Sequence, residues 1–271
     1  MQSTPLDFPL NGKKIYFASD FHLGAPNEVE SKVREIRIIR WLDSIANDAA
    51  AIFLVGDIFD FWFEYGQVIP KGFILFISKI QQLRERKIPI IFFTGNHDLW
   101  MNDYFTKELG IPVYTHPIEI KVEGKSILVG HGDGLGPGDY SYKRLKKVFT
   151  NPAAQWLFKW LHPDIGMRIA KGWSGHSRIT NNKKDETRFL GDGEWLWAYC
   201  KELEKKTHHD IYIFGHRHLP LELEVGKDST YFNLGEWVTQ NTFLTFDGKK
   251  AKLSTFEERG YIYFFGSLFT R

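Results

Sequence analysis

The sequence predicts an α/β fold, and three observations predict it. Short, fully apolar runs, "KIYFAS" from Lys14, "AIFLVG" from Ala51 and "IPIIFFTG" from Ile88, read as strands buried on both faces. Helical runs alternate with them, which is the rhythm of strand–helix–strand units. Polar residues gather where these strands end.

The helix after the first strand is read from Val29, Val33, Ile36, Ile39, Leu42 and Ile45 at helical spacing. A second helical run precedes Ile88, and Gly110 closes the next short helix. "IEIKVEGKSILVG" predicts a hairpin turning at Glu123 and Gly124. A helix is expected from about Glu194 to Thr207, followed by the strand "DIYIFG". Two further hairpins turn near Gly226 to Asp228 and at Asp247 and Gly248.

The segment from Tyr140 to Lys184 breaks this rhythm, with ten Lys or Arg and one acid, Asp164. Its net charge of +9 leaves the remainder at −7, because the whole chain of 271 residues carries +2. The economical organisation is one domain over residues 1–271 with a helical insertion, a lid, at about 140–184. A total of +2 gives no reason to expect sequence-independent attraction to nucleic acid. The lone cysteine, Cys200, forbids an internal disulfide and fits a reducing compartment. "MQSTPLDFPLNGKK" lacks the basic start and apolar run of a secretory leader, and no run of about 18 apolar residues occurs. A cytoplasmic location is expected.

The chemistry lies at the strand ends. They carry Asp20 and His22, Asp57 and Asp60, Asn96, His97 and Asp98, His131 and Asp133, and His216 and His218. Ligands of α/β sheets bind at the carboxyl ends of strands. Two such side chains one residue apart on extended chain point the same way and can reach one ion. Carboxylate, imidazole and amide oxygen suit Mn, Fe, Zn or Mg, and one cysteine excludes a thiolate site. Alone, each short motif is most often a cap or a turn; five in succession after apolar strands point to a metal centre. Seven candidate ligands exceed what one tetrahedral ion takes, whereas two ions sharing a carboxylate use them all.

The motifs D-x-H, G-D-x-x-D, G-N-H-D, G-H-G-D and G-H-x-H resemble those of the calcineurin-like metallophosphoesterases, from Lys14 to about Leu253. The resemblance implies a four-layer α/β sandwich, two central mixed sheets flanked by helices, with a dinuclear centre. It implies Asp20, His22, Asp57 and His218 on one ion and Asp57, Asn96, His131 and His216 on the other, with Asp57 bridging and Mn²⁺ the expected metal. Asp60, Asp98 and Asp133 are expected to orient imidazoles and backbone behind the ligands. Two ions activate water near neutral pH and neutralise phosphate oxygens, so Asp57 and His97 are the expected catalytic residues, His97 donating to the phosphoryl or leaving oxygen.

"GHGDGLGPGDYSY", the aromatic and basic stretch beginning "NPAAQWLFKW", the run from Ser177 to Lys184, and "LGEW" are similar to the UDP-2,3-diacylglucosamine pyrophosphohydrolases of lipid A synthesis. That resemblance implies a UDP-linked acylated glucosamine lipid as substrate, contacted by Asn96, His97, Asp139, Tyr142, Ser177, Asn181, Lys184 and His216. It departs at His97, where the best-known branch of those enzymes has Arg. Trp156, Phe158, Trp160, Ile165, Met167, Ile169 and Trp173 among the lid cations suit acyl chains and anionic groups, which extends the expectation to peripheral contact with the cytoplasmic face of the inner membrane.

Overall fold

A computed structural model describes residues 5–138, 140–169, 172 and 188–257. Two six-stranded mixed sheets carry the fold. One contains β1 (Leu6–Asp7), β6 (Ile118–Val122), β7 (Lys125–Gly130), β8 (Ile211–Phe214), β10 (Ser229–Leu234) and β9 (Pro220–Gly226), in that spatial order. The other runs β12 (Ala251–Thr255), β11 (Thr242–Phe246), β2 (Lys14–Ala18), β3 (Ala49–Val55), β4 (Ile90–Phe93) and β5 (Val113–Tyr114). Strands β2 to β5 are parallel, as are β7, β8 and β10, so their carboxyl ends share one edge of each sheet.

The apolar strands are buried on both faces because each sheet is covered twice. Between the sheets Ile15, Phe17, Phe53, Val55 and Phe93 meet Ile127, Val129, Ile213 and Leu234 in one core. The outer face of the second sheet packs on α1 (Glu28–Ile45) and α2 (Ile74–Glu85) through Trp41, Ile80 and Leu54. The outer face of the first packs Tyr212, Phe214 and Tyr231 on α6 (Trp195–Glu204), where Cys200 is buried. Helix, sheet, sheet and helix give four layers.

Helix α1 is rotated relative to the face its spacing suggests. Val29 is 75% exposed, and Ser31, Arg34, Glu35, Ile38, Trp41, Leu42 and Ile45 face inward. The cause is polar: Arg34 donates to the carbonyls of His22 and Ala25, and Glu35 accepts from the backbone N–H of Phe76. Holding these two charged groups to backbone partners from neighbouring loops outweighs burying Val29. The short α3 (Tyr104–Lys107) lies between β4 and β5, and the predicted hairpins are β6/β7, β9/β10 and β11/β12.

Within the basic segment, α4 (Tyr140–Phe149) and α5 (Pro152–Lys159) precede a helical stretch at 163–169. Asn151 caps α5 through the N–H groups of Ala153 and Ala154. Phe158 then packs on Phe63 and Trp100, ring centroids 4.7 and 4.8 Å away, which seats α5 against the loops behind β3 and β4. Asp139, Ser177, Asn181 and Lys184 lie outside the described residues.

Candidate metal centre

The loops leaving β2, β3, β4, β7 and β8 bring all seven anticipated ligands to one place. Asp20, His22, Asp57 and His218 present ligand atoms within 4.8 Å of one another, and Asp57, His131 and His216 do the same. Asn96 joins the second group, its Oδ1 3.3 Å from His131 Nε2. His22 and His218 converge with Nε2 atoms 3.2 Å apart, and His218 Nε2 lies 3.1 Å from Asp20 Oδ1. Asp57 Oδ2 stands 3.5 Å from His131 Nε2 and 3.9 Å from His22 Nε2.

Asp57 stands between the groups, and its chemistry there is unusual. Its Oδ2 is buried without a hydrogen bond, as is Asp20 Oδ1. A buried carboxylate oxygen left unbonded is costly, and both atoms face ring nitrogens rather than donors of the backbone. That donor set fits two divalent ions sharing Asp57.

Backbone strain is concentrated at the same place. Asp20, His22, Asp57, His216 and His218 all have positive φ, between 44 and 68°. Non-glycine residues seldom adopt this region, and such strain persists where surrounding contacts hold it. The contacts are visible. Asp20 Oδ2 accepts from the N–H of His216, and Asp57 Oδ1 accepts from that of His97, tying loops of different strands together. Asp98 accepts from the N–H groups of Gly95, Asp57, Ile58 and Phe59, locking the β3 and β4 loops to each other.

The imidazoles are oriented in turn. His131 Nδ1 donates to the Val55 carbonyl at 2.9 Å, which leaves Nε2 facing Asp57. Burial works against a proton on that ring, yet the Asp57 carboxylate beside it pushes His131 up to about 10. Burial and then His131 push His216 down to about 4, which leaves it neutral at ordinary pH. His22 is also held well below the usual histidine range, by burial and then by His97. His97 is half-buried; its Nδ1 meets the Asp60 carbonyl at 3.0 Å and its ring stands edge-on to His22. Asp60 Oδ1 lies 3.7 Å from His97 Nδ1 and 4.0 Å from His22 Nδ1.

Asp133 has different neighbours from Asp98. It accepts from the Tyr142 hydroxyl at 2.5 Å and pairs with Lys146 at 2.6 Å, so it fastens α4 to the loop carrying His131. Tyr142 is thereby placed with its ring 6.4 Å from that of His216.

Two supports escaped the sequence. Arg34 grips the carbonyl of His22 from α1. Arg217, between His216 and His218, is buried in a two-point pair with Glu194 at 3.0 and 3.1 Å. An arginine within an apolar helical pattern is a signal that could have found the first; nothing in the sequence links Arg217 to Glu194.

Comparison with known proteins agrees with this geometry. The family model described as calcineurin-like phosphoesterase matches residues 13–220. A protein of Porphyromonas gingivalis named UDP-2,3-diacylglucosamine hydrolase is 36% identical over 257 residues, covering 90% of this chain and 98% of that one. A protein of the same name from Shewanella baltica is 26% identical over 242 residues, covering 89% and 97%. Among solved structures, Vacuolar Protein Sorting 29 of Cryptosporidium parvum aligns with a TM-score of 0.43 at 11% identity, covering 91% of this chain and 99% of that one, a likeness too slight to build on. The extent of the family match and of the first relative's alignment establishes that the chain belongs to the calcineurin-like phosphoesterase family.

Proposed function

We propose that this protein hydrolyses the pyrophosphate of UDP-2,3-diacylglucosamine to UMP and 2,3-diacylglucosamine 1-phosphate, a step of lipid A synthesis, with two divalent ions, Mn²⁺ being the working metal. The observation that carries the reading is the near full-length alignment with a relative named for that lipid, covering 98% of it. The test is purified protein with Mn²⁺ and the UDP lipid. Release of both products is expected; no UMP, with turnover of a simple phosphodiester instead, would overturn it in favour of a general phosphoesterase.

Asp20, His22, Asp57 and His218 would hold one ion, and Asp57, Asn96, His131 and His216 the other. When bound, such a pair supplies an activated water and neutralises the phosphate oxygens. The chain's own residues do the rest. Asp57 fixes the separation of the two ligand groups, and Asn96, His97 and His216 line the space where a phosphate would sit. Asp139, Tyr142, Ser177, Asn181 and Lys184 are the remaining proposed substrate contacts.

His97 is proposed as the donor to the phosphoryl or leaving oxygen. His97 Nδ1 lies against the Asp60 carbonyl, and Nε2 is the atom proposed to face substrate. The leaving group of a pyrophosphate is itself a phosphate, whose second pKa is about 6, so it departs as an anion and needs a hydrogen bond more than a proton. His97→Ala is therefore expected to lower kcat by about a hundredfold or more with metal content unchanged. His97→Arg should retain turnover of the UDP lipid, because guanidinium donates without giving up a proton. Equal losses in both variants, measured by initial rates, would refute the donor role.

The acyl chains are assigned to the exposed apolar face of the basic segment, above the packing of the buried Phe63 and Trp100 on Phe158 that seats α5. Further out, Trp156, Leu157, Trp160, Ile165 and Ile169 are 48 to 75% exposed beside Lys159 and Arg168. An apolar face with cations at its rim suits peripheral attachment to an anionic membrane surface, and no helix among the described residues is long and apolar enough to cross a membrane. Sedimentation with phosphatidylglycerol vesicles checks it: the wild type should pellet and the Trp156→Ser/Trp160→Ser variant should not. Equal pelleting would reject the surface.

A further inference from the structure

The metal centre opens at its His131 end into a cleft of about 660 Å³. The cleft is absent from the sequence reading. One wall is a single face of α4, where Tyr140, Lys143, Arg144 and Lys147 recur at i, i+3, i+4 and i+7. The opposite wall carries Thr94, Thr115 and His116. Among the described lining residues Asp133 is the one acid, and it is engaged by Tyr142 and Lys146. Lys143 donates to the Gly136 carbonyl. Arg144 and Lys147 are exposed and form no ion pair among the described residues.

We propose that this cleft is the subsite for the nucleoside monophosphate half of the substrate, a proposal that rests on the functional reading above. The cleft reaches a proposed metal ligand, so a phosphate held at the centre can extend into it without a gap. Its surroundings of hydroxyl, imidazole, guanidinium and ammonium groups match a ribose phosphate and a polar base, and the exposed Tyr140 ring carries Lys143 Nζ 5.6 Å from its centroid. The other end of the centre has the opposite character: the loops bearing Asp60 and His97 continue into the buried Phe63 and Trp100, which pack on Phe158 and seat α5, whose Trp156 and Leu157 are exposed together with Trp160 just beyond it. A pyrophosphate diester that carries a nucleoside on one phosphorus and an acylated sugar on the other has one polar and one apolar arm. The two arms sort to the two ends by solvation.

Product inhibition separates the arms. In the Mn²⁺-loaded full-length protein, UMP, 2,3-diacylglucosamine 1-phosphate and inorganic phosphate are each measured as inhibitors of UDP-lipid hydrolysis. For Arg144→Ala/Lys147→Ala the inhibition constant of UMP is expected to rise about tenfold, while that of the lipid product moves less than about threefold. His116→Ala, on the opposite wall and in an exposed turn, should weaken UMP about threefold or more and leave inorganic phosphate unmoved. Equal shifts for UMP and the lipid product, or no shift in either, would overturn the assignment. So would parallel weakening of UMP and inorganic phosphate in both variants, which describes attraction of any anion rather than a nucleotide subsite. If the wild type releases no UMP from the lipid, the functional reading fails by itself. Calorimetric titration with UMP then decides the cleft: binding that the double variant loses supports it, and absence of binding rejects it.

Discussion

Asp57→Asn is expected to reduce turnover to about one thousandth of wild type or less and to remove at least one of two ions per chain. The change is close to isosteric and the site is 1% exposed, so the loss is electronic rather than steric. Asp57 Oδ2 has no hydrogen bond and stands between ring nitrogens of His131 and His22. An amide in its place cannot share an anionic oxygen between two cations. Elemental analysis of the purified variant and its rate with added Mn²⁺ check the two halves of the expectation, and retained metal with retained rate would dismantle the dinuclear assignment. The melting temperature adds an independent reading. A ligand that binds only the folded state stabilises it, so chelation should lower the wild-type midpoint by more than it lowers that of the variant.

Much of this centre was legible because the apolar strands and the polar residues that end them are local signals. The strands from Lys14, Ala49 and Ile90 alternate with helices, and each is followed within five residues by an Asp, His or Asn that reaches the centre. What the sequence withheld is non-local. Which strands share a sheet depends on crossovers, and β11 joins β2 only after more than two hundred residues of chain have intervened. The two-residue strands β1 and β5 carry too few residues to show a period. The orientation of α1 turned on Arg34 and Glu35, whose burial depends on carbonyls and an N–H group contributed by other segments. The positive φ of five candidate ligands is equally silent, since Asp and His tolerate that region better than most residues yet adopt it only where the assembled network holds them there. Of the acids anticipated behind the ligands, Asp98 grips backbone, whereas Asp133 has α4 as its partner because Tyr142 and Lys146 fold over it.

Gly95→Ala is expected to damage the same centre by another route. A Cβ on Gly95 would lie 2.1 Å from Asp57 Oδ1 and 2.6 Å from the Asp57 backbone nitrogen. Backbone cannot swing aside as a flexible side chain can, and overpacking a tight site costs about 3 kcal/mol or more when the backbone must move. Asp57 Oδ1 also accepts from His97, and Gly95 N–H donates to Asp98, so relief of the clash disturbs both the carboxylate and the clamp that joins the two loops. The variant should therefore melt well below wild type and retain little metal or activity. Gly66→Ala is the matched control: its Cβ would meet nothing within 4 Å, and its melting point should stay near that of wild type, because a Gly to Ala change without strain slightly favours the folded state. Chelation distinguishes the two lesions at the centre. With the ions removed, the deficit of Gly95→Ala persists because the clash is between protein atoms, whereas the deficit of Asp57→Asn should largely vanish because it arises from the ions. A Gly95→Ala protein that melts like wild type in chelator would mean that the loops yield easily, and the close approach of β4 to Asp57 would then contribute little to holding the ligands in place.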